Sequence, residues 1–513
     1  MKQIRLFSGL FTVGFWTLAS RILGFVREIL LTAYIGPGPV MDAFVAAFRL
    51  PNMFRRFFAE GAFNAAFVPM FSKRLEGGED AQGFAQDAFN LLAVAVLALV
   101  GLAMVFMPAL VWITAEGFYG DERFDLAVDY SYVVFPYILF MALAALFSGV
   151  LNATGRFAAA AAAPVLLNIF ACSALVFGAI SGGEVIRWLI AVIPVAGVAQ
   201  LALVWVATER AGVVIRPGLP KLSPEMRHMV RVAVPAALAM GVTQVNLVVG
   251  QLVASKTEKA VSWLFAADRL YQLPLGVVGI AVSIVLLPDL SRRLRADDKD
   301  GARNAFSRAG EFTLLLTIPS TVAFVIIPQP LVSVLFERGQ FSTEDTIATA
   351  MAVAIYGIGL PAFMLQKLLQ PLFFAREDTK SPFRSAVVAM VVNAVLAFGL
   401  FPLVGWIAPA IAASAAGWAM VLLLAIGARR MGDEARFDER FKRRIWRIMA
   451  ASAGMGVVLY AAIELFGWAF QLEGWRYLAL ILLIMIAALA YFILGHLLKA
   501  FQLSEFKRAL RRS

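Results

Sequence analysis

The feature that most constrains this chain is a succession of long apolar segments, separated by short stretches rich in charge, proline or glycine. A helix needs about 20 predominantly apolar residues to cross the hydrocarbon core of a bilayer. The composition agrees, because 61% of the residues are hydrophobic and only 15% are charged. We predict an all-α polytopic membrane protein with 14 transmembrane helices. The predicted helices cover residues 7–35, 40–72, 85–114, 129–153, 160–181, 186–208, 226–254, 261–291, 308–328, 345–374, 383–402, 407–428, 445–468 and 475–499.

The distribution of lysine and arginine predicts the topology, since cytoplasmic loops of membrane proteins are enriched in both. Fourteen helices leave six of the 45 basic residues in loops on one side and 32 on the other, which also holds both termini. We therefore predict that both termini are cytoplasmic. The net charge of +11 comes from these short clusters and not from one continuous basic face, so nucleic acid is not an expected partner.

An internal repeat divides the chain. Val68-Pro-Met-Phe-Ser-Lys-Arg-Leu75 is similar to Leu287-Pro-Asp-Leu-Ser-Arg-Arg-Leu294, 219 positions later, and Arg156 and Arg376 are 220 positions apart. Six helices per copy give both copies the same orientation, as in parallel-repeat transporters. The predicted domains are an N-terminal lobe (1–215, helices 1–6), a C-terminal lobe (216–440, helices 7–12) and a remaining segment with helices 13 and 14 and a cytoplasmic tail (441–513).

Residues for common catalytic and metal sites are scarce. Cys172 is the one cysteine and lies in an apolar segment, which excludes a disulfide framework and a cysteine metal cluster. His228 and His496 form neither a zinc motif nor part of a Ser/His/Asp triad. The sequence contains no Gly-x-x-x-x-Gly-Lys-Ser/Thr phosphate loop. We therefore predict a protein that is not an enzyme and has no cofactor.

Ionisable residues are concentrated in predicted helices 1, 2 and 8. An arginine at the centre of a spanning helix costs roughly 3 kcal/mol, so such residues usually face a wet cavity or an ionic partner. Arg21 and Glu28 share one face of helix 1, while Asp42, Arg49 and Arg56 recur every seven residues in helix 2. We predict that the three helices line one polar chamber. Its polar residues are Arg21, Arg27, Glu28, Asp42, Arg49, Asn52, Arg55, Arg56, Glu60, Asp268, Arg269 and Gln272.

The charge balance of this chamber favours an anionic ligand. Six arginines face four acids in the three helices, so two positive charges are left over. A guanidinium donates paired hydrogen bonds to phosphate oxygens, and the set contains arginine and no lysine. The charges alone do not distinguish a lipid phosphate from a soluble metabolite. The other interpretation is internal ion pairing, for example of Arg56 with Glu60 four residues later.

These residues also carry a resemblance to a known family. Their motifs are similar to those of the MurJ (MviN) lipid II flippases of bacterial peptidoglycan synthesis, in order along both lobes. The motifs are Ser20-Arg-Ile-Leu-Gly-Phe-Val-Arg-Glu28, Asp42-Ala-Phe44, Leu50-Pro-Asn-Met-Phe-Arg-Arg-Phe-Phe-Ala-Glu-Gly-Ala-Phe63, Phe67-Val-Pro69 and Ala267-Asp-Arg-Leu-Tyr-Gln-Leu-Pro-Leu-Gly-Val277.

The resemblance implies a multidrug/oligosaccharidyl-lipid/polysaccharide exporter fold. Two six-helix lobes would surround a central cationic cavity, and the two C-terminal helices would form a groove for a lipid tail. The implied cargo is lipid II, the undecaprenyl-pyrophosphate-linked disaccharide pentapeptide, moved from the cytoplasmic to the periplasmic leaflet of the bacterial inner membrane. The implied partners besides lipid II are membrane lipids and the cell-wall synthesis machinery.

The resemblance also implies which residues bind the cargo. By motif position they are Arg21, Arg27, Asp42, Arg55 and Arg269, with Asp42 expected to orient one or more of the arginines. This chain has Gln272 where some members have glutamate, one turn after the helix 8 arginine. The further cavity residues would be Glu28, Arg49, Asn52, Glu60, Asp268 and Gln272.

The sequence leaves the energy source open between the membrane potential and an ion gradient. Moving one negative charge outward through an inside-negative potential releases roughly 2.3 kcal/mol per 100 mV, so a dianionic head group could be driven by the potential itself. The coupling ion would be Na⁺ or H⁺. Asn246 and Asn393 lie within helices and suit an interhelical hydrogen bond as well as an ion site.

Other functions are less consistent with the sequence. A flippase for another polyprenyl-linked glycan shares the fold and is the main alternative. A cationic-drug exporter would need an acidic cavity. A membrane glycosyltransferase would need an acidic site in a sizeable outer loop, and the largest predicted outer loops, 116–129 and 329–345, are short. A scaffold has no use for arginines inside the bilayer.

Overall fold

The computed structural model describes residues 2–59, 62–472 and 474–501. All regular secondary structure in these ranges is helical, which confirms the predicted all-α class. The helices are α1 (Lys2–Tyr34), α2 (Pro39–Ala59), α3 (Ala62–Gly77), α4 (Ala81–Val105), α5 (Met107–Thr114), α6 (Glu122–Val134), α7 (Tyr137–Ala153), α8 (Phe157–Ser181), α9 (Val185–Arg210), α10 (Pro224–Ala254), α11 (Ala260–Arg295), α12 (Lys299–Ile326), α13 (Pro328–Phe336), α14 (Thr343–Phe374), α15 (Lys380–Val404), α16 (Ala408–Arg429), α17 (Glu439–Phe466) and α18 (Trp475–Leu497).

Nine stretches of the described chain are long and apolar enough to cross a membrane. They are α4, α6 with α7, α8, α9, α12, α14, α15 with α16, α17, and α18. The remaining long helices are α1, α10 and α11, beside the pair α2 and α3, and three of these elements carry the arginines singled out in the sequence. The described chain therefore has the helices of a multi-pass membrane protein.

Two of the predicted helices, 85–114 and 129–153, are each split into two at a proline, and a third proline begins a short helix at the end of the predicted helix 308–328. Pro108, Pro136 and Pro328 lie at the junctions of α4 with α5, α6 with α7, and α12 with α13. Proline has no backbone N–H and its ring clashes with the carbonyl four residues earlier, so a helix tends to end just before it. The helices α5 and α7 therefore begin inside segments that the sequence predicted as single helices, whereas α13 lies in the predicted loop 329–345.

One compact unit comprises Met1–Ser262 and Arg338–Phe341. In it α8 packs along α1 and α9, α2 lies against α6 and α7, and α10 packs against α3. The predicted lobe boundary at residue 215 follows the sequence repeat, whereas this unit follows packing and includes α10. The division into 1–215, 216–440 and 441–513 stays a prediction.

The other compact unit comprises Trp263–Glu337 and Ser342–Ser513. One apolar core joins α12, α14 and α16 through Phe306, Leu360, Leu368, Phe373 and Leu424. A second core joins the C-terminal helices α17 and α18 to α12, and there the Tyr491 hydroxyl donates a hydrogen bond to the Leu315 carbonyl over 2.7 Å. The C-terminal pair is thus anchored to the rest of its unit along α12.

The helix α4 in one unit and the helix α12 in the other begin and end in the same way. Asp80 and Asp298, 218 positions apart, precede α4 and α12, and each carboxylate accepts a hydrogen bond from the N–H of a glycine three residues later. These bonds, to Gly83 and Gly301, measure 2.7 and 2.9 Å. Both helices are then followed by a short helix, α5 or α13. This shared pattern supports an internal duplication.

The repeat also covers the charged helices. Ala47-Phe-Arg-Leu50 in α2 matches Ala267-Asp-Arg-Leu270 in α11, 220 positions later. Arg49 and Arg269 are therefore equivalent positions. At the same offset, Asp42 is equivalent to Ser262.

Candidate anion-binding site

Arg27 on α1 is held by two acceptors. Its Nη2 donates to Glu28 Oε1 over 2.6 Å, and its Nη1 donates to Asn168 Oδ1 over 3.0 Å. The Arg27 side chain is only 14% exposed. Its Nε is buried and has no hydrogen-bond partner among the described residues. The guanidinium is therefore fixed in direction but keeps donor capacity for a further ligand.

Asn168 on α8 uses both ends of its amide against α1. Its Oδ1 accepts from Arg27, while its Nδ2 donates to the Ser20 carbonyl over 3.0 Å. A Cβ placed on Gly24 would lie 3.7 Å from this amide, so Asn168 sits directly over the α1 backbone. The residue is buried and was not singled out by the sequence.

Asp42, at the start of α2, is fully buried. Its Oδ2 accepts a hydrogen bond from the Lys259 N–H over 2.8 Å, and its Oδ1 accepts from the Ser262 N–H over 2.9 Å and from the Ser262 hydroxyl. These donors flank the first turn of α11, so Asp42 acts as a capping carboxylate supplied by another helix. The described partners of Asp42 differ from the expected ones, because it was predicted to orient the cavity arginines.

The ionic partner of Asp42 is Arg123, in the first turn of α6. Arg123 Nη1 lies 3.7 Å from Asp42 Oδ2 and donates to the Ser255 carbonyl over 3.1 Å. Its Nε and Nη2 donate to the Asp121 carboxylate over 2.9 and 2.6 Å. The guanidinium also lies 4.6 Å from the centre of the Phe118 ring. Arg123 is thus a buried structural residue, although the sequence placed it in a loop.

In the other unit, Arg269 lies in the first third of α11. Its guanidinium is 4.4 Å from the centre of the Phe265 ring, four residues earlier on the same helix face. The adjacent Asp268 accepts a hydrogen bond from Gln272 Nε2. An ionised glutamate at position 272 could not donate this bond. The glutamine therefore removes an acid and gains a contact within α11.

The other predicted cavity residues have separate environments. Arg21 is exposed. Arg49 Nη1 donates to the Leu247 carbonyl of α10 over 3.0 Å, and Asn52 Nδ2 donates to the Phe48 carbonyl over 3.1 Å. Arg55 lies on α2, but its side chain and that of Arg56 fall outside the described part, as does all of Glu60.

The outer surface of the C-terminal pair is apolar. Large side chains on α17 and α18 remain more than half exposed although both helices are anchored to α12. They include Val457, Tyr460, Leu465, Ile481, Leu489 and Leu497. Among the described residues, no group of three or more His, Cys, Asp or Glu side chains is placed to hold a metal ion.

The fold defines the class of protein. A solved multidrug resistance MATE family transporter of the MOP superfamily, in its inward-facing conformation, matches with a TM-score of 0.69 at 14% identity, covering 80% of this chain and 94% of that one. A solved lipid II flippase MurJ, in an inward closed conformation, matches with a TM-score of 0.79 at 26% identity, covering 97% of this chain and 99% of that one. The chain therefore has the helical fold that these two solved structures share.

Sequence comparison gives the family. The model of the family described as lipid II flippase MurJ matches residues 31–489. A probable lipid II flippase MurJ of Rhizobium tropici is 43% identical over 98% of this chain and 96% of its own length. The lipid II flippase MurJ of Burkholderia cenocepacia is 34% identical over 91% of this chain and 92% of its own length. The chain belongs to the lipid II flippase MurJ family, which confirms the resemblance found in the sequence.

Proposed function

We propose that this chain is a lipid II flippase that carries undecaprenyl-pyrophosphate-linked disaccharide pentapeptide from the cytoplasmic to the periplasmic leaflet. The observation that carries the proposal is the family match, which runs from residue 31 to residue 489 and includes the arginine-bearing helices α2 and α11. The buried Arg27 on α1 supports it, because an arginine with free donor capacity on a membrane helix is suited to an anionic head group.

The proposed topology has 14 spans with both termini in the cytoplasm of a bacterium. One of the nine long apolar stretches, Lys380–Arg429, contains both α15 and α16. Its 50 residues are long enough for two crossings, so the nine stretches supply ten spans. The helices α1, α10 and α11 and the pair α2 and α3 would supply the other four crossings. Their polar residues would then face the transport pathway and not the lipid.

Arg21, Arg27, Arg55 and Arg269 form the proposed clamp for the pyrophosphate. Arg27 is neutralised by Glu28 in this structure, so an incoming phosphate must share the guanidinium with Glu28 or replace it. The Nε of Arg27 has no hydrogen-bond partner among the described residues but is buried, so a phosphate reaches it only when the surrounding side chains move. The pyrophosphate brings about two negative charges, which matches the excess of six arginines over four acids.

Asp42 has a different role in the proposed cycle. Its carboxylate ties the start of α2 to the 255–262 segment and to Arg123, all within one compact unit. By the proposed topology this cluster lies on the periplasmic side. We infer that it stabilises the conformation seen here and has to loosen when the head group is released outward.

The C-terminal helices would receive the polyprenyl tail. Their exposed face is rich in large aliphatic side chains, and a lipid chain can lie along such a face without dehydrating polar groups. Photocrosslinking from positions 450–495 to a polyprenyl probe tests this. Adducts should form there, and their uniform absence beside strong adducts elsewhere would reject the groove.

The main alternative is a flippase for another polyprenyl-linked glycan. The decisive experiment is to deplete this protein acutely in cells and to measure the lipid II accessible in each leaflet. Lipid II should accumulate in the cytoplasmic leaflet within minutes, before growth stops. Unchanged lipid II distribution, with accumulation of another polyprenyl-linked glycan, would favour the alternative. The purified protein should also move lipid II in proteoliposomes with an imposed potential, negative on the donor side, which tests the energy source.

A further inference from the structure

We propose that Asn168 of α8 is the positioning residue of the anion site, and that it fixes the Arg27 guanidinium without neutralising it. The proposal rests on the proposed function, since it gives Asn168 a role in the same site. A neutral acceptor is what an anion site needs at this point, because each carboxylate bound to Arg27 lowers the positive potential available to a phosphate.

The contacts of Asn168 determine which end of its amide faces Arg27. The Nδ2 group donates to the Ser20 carbonyl, which leaves Oδ1 to accept from Arg27 Nη1. Ser20 and Arg27 are seven residues apart and therefore lie on the same face of α1. One amide thus bridges two turns of α1, and its orientation follows from a backbone acceptor that no side-chain change can remove.

Burial makes this arrangement rigid. Asn168 is 6% exposed, and it packs over Gly24, which offers no side chain that could separate α8 from α1. Glu28, the other partner of Arg27, is an anion, so a pyrophosphate competes with it directly for the guanidinium. We infer that Asn168 keeps its contact when a pyrophosphate binds, whereas the Glu28 ion pair is the contact that yields.

Substitutions of Asn168 can distinguish a role in positioning the Arg27 guanidinium from a role in helix packing alone. Asn168→Asp keeps an oxygen acceptor for Arg27 and strengthens that contact, since hydrogen bonds between ionised groups are the stronger ones. If Asn168 only supported the helix pair, Asn168→Asp would lower the unfolding temperature, because an ionised aspartate cannot donate to the Ser20 carbonyl, but it would leave the affinity unchanged. If it serves an anion site, the aspartate neutralises Arg27 a second time and binding should weaken although the protein remains folded.

The experiment measures affinity and thermal unfolding of the full-length protein in lipid nanodiscs, with lipid II and with undecaprenyl pyrophosphate as probes. We expect Asn168→Asp to unfold at a lower temperature than wild type, because its carboxylate faces the Ser20 carbonyl, and to bind both probes at least ten-fold more weakly. Asn168→Leu should bind roughly ten-fold more weakly, because Arg27 loses a charge-assisted hydrogen bond. Asn168→Gln, which keeps the amide, should recover part of the affinity.

Gln200 offers a matched control. It is another buried amide in the same unit, donating to the Ala163 carbonyl over 2.9 Å and accepting from the Tyr137 hydroxyl over 3.0 Å. Gln200→Leu should lower the unfolding temperature and leave the affinity unchanged.

The outcomes separate the two proposals. Wild-type affinity in both Asn168→Asp and Asn168→Leu would overturn the role of Asn168 while leaving the flippase proposal intact. If Asn168→Asp does not accumulate in the membrane, the affinity of Asn168→Leu alone tests the role of Asn168. A wild-type protein that binds undecaprenyl pyrophosphate but not lipid II would overturn the cargo and still allow the variants to be compared. Binding of neither probe by the wild type would overturn both proposals.

Discussion

Asp42 and Ser262 occupy equivalent positions of the repeat, 220 residues apart, and they are bound to each other by two hydrogen bonds. The first N–H groups of a helix need acceptors, and Lys259, which precedes α11, has a side chain that cannot accept. Asp42 supplies the missing acceptor from α2. It also holds the N–H of Lys259, whose φ of 65° is uncommon for a residue other than glycine.

Replacing Asp42 should therefore destabilise the protein more than replacing Ser262. Asp42→Ala removes the cap of α11 and one acid beside buried Arg123, for an expected loss of about 2–4 kcal/mol. Ser262→Ala removes one hydrogen bond, worth about 1 kcal/mol. Thermal unfolding of the purified variants in detergent measures both. Equal effects of the two substitutions would contradict the capping role.

Two glycines, Gly36 and Gly339, allow the turn Arg338–Phe341 to pack closely against the end of α1. The Gln340 N–H donates to the Ala33 carbonyl over 2.9 Å, and Gly36 and Gly339 both have positive φ. A Cβ on Gly36 would lie 2.6 Å from Gln340, and one on Gly339 would collide with the Ala33 carbonyl oxygen. Gly339→Ala should therefore cost at least about 1–3 kcal/mol.

Gly38 is the matched control for this prediction. It belongs to the same turn region and lacks a positive φ, and a methyl group added there would meet no atom within 4 Å, so Gly38→Ala should be neutral. The amount of each variant in the membrane and its unfolding temperature give the comparison. Normal abundance of Gly339→Ala would show that this turn can move away from α1.

Substitutions of Arg27 and Glu28 should distinguish an effect on folding from an effect on transport. Arg27→Ala removes the ion pair between Arg27 and the buried Glu28, so the variant should be both inactive and less abundant. Adding Glu28→Gln removes the acid that Arg27 neutralised and should restore abundance but not transport. Arg27→Lys keeps the charge and loses the fork, so it should retain part of the activity. An abundant double variant that flips lipid II at the wild-type rate would refute the clamp.

The carboxyl group of Glu337 should make the stability of the fold depend on pH, in a direction that follows from its pKa. Burial raises the pKa of this loop carboxyl, but hydrogen bonds from Ser333, Thr343 and Thr346 outweigh it, and the pKa lies below its ordinary value. A carboxyl with a lowered pKa in the folded state stabilises the fold above the unfolded pKa, which is about 4.3, and loses this contribution as pH falls through the folded value.

The test is the unfolding temperature of wild type and Glu337→Gln between neutral pH and about pH 3.5. The difference between them should be largest near neutral pH and should shrink as the pH falls below about 4.3. Because the carboxyl is partly exposed, the effect should stay near or below about 1 kcal/mol. A difference that grows on acidification would contradict the assignment.

The topology can be mapped with single cysteines in a Cys172→Ser background. Cysteines at positions 38, 121 and 473 should react with an impermeant reagent added outside intact cells, because the loops of that side carry few basic residues. Cysteines at positions 77 and 297 should be protected until the cells are opened. Labelling of position 297 from outside would require a different number of spans.

The helical segments were predictable because their apolar composition is a local property. The positions at which helices break were not predictable from proline alone. Pro164 and Pro194 lie within continuous helices, whereas Pro108 and Pro328 lie at the start of new ones. Neighbouring helices in a membrane can compensate for a missing N–H, so proline alone does not determine a break.

The site was predictable only in part. Arg27 and Glu28 stood out because charge is costly in an apolar segment, and internal ion pairing was the alternative considered for such residues. Asn168 and Arg123 were missed because their partners are 141 and 81 positions away, a proximity that only packing creates. A polar residue four positions after Pro164 in an apolar helix was the available signal for Asn168.

The packing of α10 bears on how such a chain could have evolved. In the sequence repeat α10 opens the second copy, yet it packs against α3 of the first. The opening helix of the first copy, α1, instead packs against α8 of its own copy. The two copies have therefore diverged in how their opening helix packs, and they have also diverged at positions 42 and 262, where one has an aspartate and the other a serine.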